Sequence, residues 1–120
     1  MNNKKKLLIV DDEKEVCANL SEYLARRDFE VTVAISGKEA TSILRTTFFP
    51  VIILDIKMPD ADGMEILKDA IKQHPNSKII MMTGFDEENQ RDECLASGAY
   101  DYITKPIRIS EILKKIEALY

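Results

Sequence analysis

The stretch VIILD at residues 51–55 is apolar at four successive positions and then ends on an acid. A strand with water on one face alternates apolar and polar residues, so an unbroken branched run signals burial on both faces, as in a parallel sheet covered by helices. LLIV at 7–10 and IIMM at 79–82 repeat the pattern, and 31–35 and 100–103 complete five predicted strands. Between them apolar residues recur at helical spacing: Val16, Leu20 and Leu24; Ala40, Ile43 and Leu44; Met64, Leu67 and Ile71; Ile109, Ile112, Leu113 and Ile116. Residues 87–97 also read as a helix, but with Cys94 and Leu95 as almost its only apolar anchors it is expected to be the least firmly held. Ser36-Gly37 and Gly63 precede the second and third helices, the HPNS run at 74–77 ends the third, and Ser97-Gly98 closes the fourth. Strands alternating with helices in a chain of 120 residues predict a single domain over 1–120. Its fold class is α/β: a doubly wound, five-stranded parallel sheet with five helices, a flavodoxin-like three-layer sandwich.

Charge and cysteines narrow the function. With 17 basic against 21 acidic residues the net charge is −4, the wrong sign for gripping a phosphate backbone, so no direct nucleic acid binding is expected. Lys4-Lys5-Lys6 is expected to be a short solvated arm. Cys17 and Cys94 form no CxxC pair and no leader-like segment precedes them, which points to a reducing cytoplasm. No apolar run approaches the ~20 residues of a membrane helix.

In a doubly wound sheet, ligands bind outside the carboxyl ends of the strands. Asp11 and Asp12 follow the first strand, Asp55 the third, Thr83 the fourth and Lys105 the fifth, so these groups are expected to converge. Three carboxylates ~5 Å apart repel by roughly 3 kcal/mol per pair at an effective dielectric near 20. Lys105 offsets part of this, and hard oxygen donors with few geometric demands suit Mg²⁺. Taken singly, Asp11-Asp12 reads equally well as a helix cap, Thr83-Gly84 as a turn and Lys105-Pro106 as a solvated loop. Asp55 ends a buried strand and has no such ordinary reading; the weight lies in the conjunction. Asp60-Ala61-Asp62-Gly63 is similar to the acid pair of haloacid dehalogenase phosphatases and to part of a calcium-binding loop. Met58-Pro59 separates it from the strand, so these acids are placed in a loop. The only histidine, His74, is expected at a helix C-terminus, which leaves zinc without a donor set.

As an ordered set, LLIVDDE (7–13), LDIKMPDADGMEIL (54–67), MMTG (81–84) and GAYDYITKP (98–106) resemble the receiver domain of bacterial two-component response regulators. The resemblance implies that Asp55 accepts a phosphoryl group from a sensor histidine kinase or histidine phosphotransfer protein. It implies Mg²⁺ held by Asp11, Asp12, Asp55 and the backbone carbonyl of Lys57, with Thr83 and Lys105 contacting the phosphoryl group. It further implies that Tyr102 changes rotamer on activation, that Lys57 and Phe85 tune phosphoryl lifetime, and that the Lys105–Pro106 bond is cis. The output face would comprise the fourth helix, fifth strand and fifth helix, engaging a downstream effector, a C-terminal output domain or, on phosphorylation, a second copy. Such a domain signals by partner binding and is no enzyme beyond its own phosphorylation and hydrolysis. An aspartyl-nucleophile phosphohydrolase and an unphosphorylated interaction module stay open as alternatives.

Overall fold

A computed structural model describes residues 4–84 and 88–120. The expectations for Phe85 and for a helix start at Glu87 lie outside the described residues. Five parallel strands, β1 (Lys5–Val10), β2 (Phe29–Ala34), β3 (Val51–Asp55), β4 (Lys78–Thr83) and β5 (Asp101–Thr104), form one sheet in the order β2-β1-β3-β4-β5. The helices are α1 (Lys14–Ala25), α2 (Gly37–Thr46), α3 (Gly63–Gln73), α4 (Glu88–Ala96) and α5 (Ile109–Glu117).

The apolar runs behave as their composition demands. Residues 7–10, 51–54 and 79–82 are at most 1% exposed, because both faces of these strands are covered. Leu7, Ile9, Val51 and Ile53 pack with Leu20 and Leu24 of α1 and Ile112 and Ile116 of α5. Leu8, Val10, Ile52 and Leu54 share the opposite core with Leu44 of α2, Leu67 of α3 and Cys94 of α4. The first connection from β1 leads to β2 on one side, and the chain then returns to lay β3 on the other. This reversal opens a crevice at the carboxyl ends of β1 and β3.

Local chemistry sets the helix ends. Ser36 Oγ accepts the Glu39 N–H at the start of α2, and Asp62 Oδ1 accepts the Met64 N–H at the start of α3. After α4, Gly98 adopts φ 110°, a left-handed turn that glycine makes without steric cost. The α4 anchoring is thinner than the sequence implies: Cys94 is buried with its Sγ 3.5 Å from Met64 Sδ, but Leu95 points outward and is 41% exposed. Successive residues on a helix face different ways, so one of that pair had to be surrendered.

Three further expectations need correction. Lys5 and Lys6 are no loose arm; they begin β1, where Lys5 Nζ lies over the Phe29 and Tyr120 rings and the Tyr120 hydroxyl donates to the Lys6 carbonyl. His74 does end α3, but its Nε2 lies 2.7 Å from the Leu44 carbonyl of α2 and so joins two helices. The segment holding Asp60 and Asp62 is a tight antiparallel ribbon in which Lys57 pairs with Asp62 and Met58 with Ala61.

Candidate functional site

Register delivers the acids to one place. Val10 of β1 is level with Leu54 of β3, so Asp11 and Asp55 leave the sheet at the same height; Asp55 in turn is level with Met82, one residue before Thr83. Ligand atoms of Asp11, Asp12 and Asp55 all lie within 4.8 Å of one another. Asp11 is fully buried, Asp55 is 4% exposed, and Asp12 is the most solvent-facing of the three.

Lys105 reaches this cluster from β5. Its backbone N–H donates to the Thr83 carbonyl at 2.7 Å and the Lys105–Pro106 bond is cis, as expected. Its Nζ lies 3.0 Å from Asp55 Oδ2, 3.4 Å from Asp11 Oδ2 and 3.2 Å from Glu13 Oε1. The Asp55 and Glu13 contacts are hydrogen bonds, whereas Asp11 Oδ2 is buried with an ion pair but no hydrogen bond. Burial works against the ammonium, yet the hydrogen bond and charge of Asp55, then Asp11 and Glu13, hold the Lys105 pKa above its usual value. One ammonium cannot offset all of these acids. Burial pushes Asp55 up to about 6 against the pull of Lys105, and Asp11 adds to the rise.

An under-hydrogen-bonded buried carboxylate oxygen beside two more carboxylates is a donor set that can hold a metal ion. All-oxygen donors favour a hard divalent cation. Sulfur is withheld from it: Cys17 lies beneath the cluster with Sγ donating to the Asp11 carbonyl, and burial, then Asp11, raises its pKa to about 11, which keeps it a thiol.

The remaining expected residues flank this centre. Thr83 is 3% exposed at the end of β4. Tyr102 is half-buried on β5 against the α2–α3–α4 core, with the Arg91 guanidinium of α4 5.0 Å from its ring centre. Lys57 is exposed, and its N–H donates to Asp55 Oδ1 at 3.3 Å. Two residues given no role in the sequence reading join the site's surroundings. Glu13 is the third acid of the DDE run, which was itself the available signal. Asp60 accepts the N–H groups of Gly37 and Lys38 at 2.9 and 3.0 Å, and nothing local marks a partner more than twenty residues away.

The model of the response regulator receiver domain family matches residues 7–117. Among curated proteins, the transcriptional regulatory protein SrrA of Staphylococcus aureus is 37% identical over 113 residues, covering 94% of this chain and 46% of SrrA. The chain therefore spans about half the length of the curated relatives it matches. A CheY-like receiver domain protein from Methanospirillum hungatei JF-1 superposes with a TM-score of 0.91 at 35% identity, covering 98% of this chain and 94% of that one. The receiver domain of Francisella response regulator 1452 gives 0.90 at 34% identity, covering 98% and 97%.

Proposed function

This chain belongs to the response regulator receiver domain family of two-component signalling, and on that premise we propose that Asp55 is its phosphoacceptor. The observation that carries the reading is the Lys105 ammonium held between Asp55 and Asp11 in a buried cluster of acids. A carboxylate oxygen of Asp55 attacks phosphorus, the bond from phosphorus to the donor's imidazole nitrogen breaks, and that nitrogen keeps the electron pair. Charge builds on the phosphoryl oxygens during transfer, and Lys105, already aimed at Asp55, meets it without reorganisation. Asp11, Asp12, Asp55 and the Lys57 carbonyl would hold Mg²⁺, which when bound would supply further positive charge there.

Thr83 gains a hydrogen-bond partner only when phosphoryl oxygens are present, a differential contact that shifts a two-state equilibrium. Tyr102 follows on the neighbouring strand, and α4, which among its described residues buries Cys94 and sets Arg91 over the Tyr102 ring, is the element that responds. The domain over 1–120 thus signals through α4, β5 and α5, receiving its phosphoryl group from a sensor histidine kinase or phosphotransfer protein and passing the change to an effector, an output domain or a second copy. Cys17 and Cys94 are both buried, and thiols so placed suit a reducing cytoplasm. Among the described residues no helix is long and apolar enough to cross a membrane.

Incubation with acetyl phosphate and Mg²⁺, reductive trapping of the acyl phosphate and peptide mapping should place the label on Asp55. Label on Asp60 or Asp62 would overturn the assignment. Mg²⁺ should also stabilise the unphosphorylated domain, by about 1.4 kcal/mol when its free concentration is about ten times Kd. Asp12→Asn should lose most of the accompanying rise in melting temperature. An equal rise in that variant removes Asp12 from the metal site.

A further inference from the structure

We infer that Asp60 is a positioning residue for the metal site, acting by fastening the 57–62 ribbon to the start of α2. The inference rests on the reading of Lys57 as a carbonyl ligand. Asp60 spreads its two carboxylate oxygens over successive N–H groups, Oδ1 on Gly37 and Oδ2 on Lys38, which are the first two residues of α2. Those N–H groups have no partner within the helix, and the positive end of the helix dipole lies there, so an anion suits the place. The same two hydrogen bonds hold the Asp60 carboxyl below the usual aspartate range.

The contact goes beyond a cap because the ribbon is seated on the helix at close range. A Cβ on Gly37 would stand 2.2 Å from Ala61 Cβ, so the glycine is what lets the ribbon approach. Ala61 pairs with Met58, and the next pair joins Asp62 to Lys57. At its other end the ribbon is tied down by the Asp62 cap on α3 and by the Gly63 N–H donating to the Ile56 carbonyl at 2.8 Å. Asp60 sits at the ribbon's tip and removes its remaining freedom to swing. Lys57, two residues after Asp55, then presents its backbone to the acid cluster in one fixed orientation. Partners that orient a ligand without touching the metal commonly matter about tenfold or more in affinity.

The α2 helix supplies an internal control, since it carries a second cap with no link to the ribbon: Ser36 Oγ on the Glu39 N–H. Titration calorimetry with Mg²⁺ alone on the unphosphorylated protein should give Asp60→Ala an affinity about tenfold weaker than the parent. Ser36→Ala should lose stability but keep the parental affinity. With acetyl phosphate, Asp60→Ala should need more Mg²⁺ for half-maximal labelling yet reach the parental rate at saturation. Asp60→Asn, which keeps an acceptor for one N–H, should fall between and serves as the probe if the alanine variant does not fold. If both caps cost stability and the Asp60 variants bind Mg²⁺ as tightly as the parent, Asp60 is only a cap and the inference fails. If the parent itself binds no Mg²⁺, it is the underlying reading of the site that fails.

Discussion

Metal-free Asp55→Asn is expected to be more stable than the parent at pH 7 while accepting no phosphoryl group at all. The second half follows from removing the proposed nucleophile; the first follows from linkage. Asp55 titrates near 6 in the fold against an ordinary value of 3.8, so the native state holds its proton more tightly than the unfolded chain does. The associated stability is fully present below pH 3.8 and drains away as pH rises through about 6. That difference in proton affinity is worth at most about 3 kcal/mol at neutral pH, and water at the mouth of the crevice screens part of it. Asparagine does not titrate and keeps a carbonyl for Lys105, so a net gain of about 1–2 kcal/mol should survive the loss of the charge-assisted bond. Denaturation in chelator from pH 4 to pH 8 should show the two proteins close together in acid, a gap that opens as pH rises from 3.8 to about 6, and a constant difference above that. Added Mg²⁺ should then favour the parent, because the ion compensates the charge the variant lacks. A gap independent of pH, or one that widens in acid, would contradict this account of the site.

Gly63→Ala is expected to cost about 3 kcal/mol or more, the upper end of what overpacking does to a well-filled interior. The added Cβ would meet the Asp55 carbonyl oxygen at 2.5 Å and the Ile56 Cα and carbonyl oxygen at 2.6 Å. All three are backbone atoms of the segment that carries Asp55, so no side chain can turn aside. Alanine's better helix propensity, about 1 kcal/mol in a helix interior and less at a first position, does not offset this. Urea denaturation should show the loss of stability, and labelling by acetyl phosphate should slow because relief comes only by displacing residues 55 and 56. Parental stability in the variant would mean that the ribbon has slack that its geometry denies.

Where burial alone decides, the sequence was legible. VIIL, LLIV and IIMM are four-residue apolar runs each followed by a polar residue, too short for helices and apolar enough for two-sided strands, and the polar residue after each is then placed by topology. Asp55 was the most readable residue of the candidate site because an acid ending such a run has no ordinary structural role. Lys5 and Lys6 were misread because charge alone does not say whether the backbone pairs; a lysine can start a strand while its ammonium stays wet. Leu95 was misread because one apolar pair on a polar helix cannot say which member faces inward. The ribbon left no periodic trace, since two residues per strand are too few for alternation to show. Asp60 was invisible as a cap because its partners are brought near only by the packing of α2 against the ribbon.

The registry between β1 and β3 limits how this domain can vary. Val10 stands level with Leu54, and the two acids emerge together only because both strands arrive with the correct count of residues. Each residue of a strand advances the chain by about 3.3 Å and turns it to the other face of the sheet. Exchanging Ile53 for valine would alter a volume and leave the site in place. Deleting it would draw Asp55 back by a full step and point it away from Asp11. Within these strands, then, drift in residue identity is tolerable while drift in length is not. A change of length is expected to be tolerated in the loops at the opposite end of the sheet, because there it leaves the count of residues from the paired part of each strand to its acid unchanged.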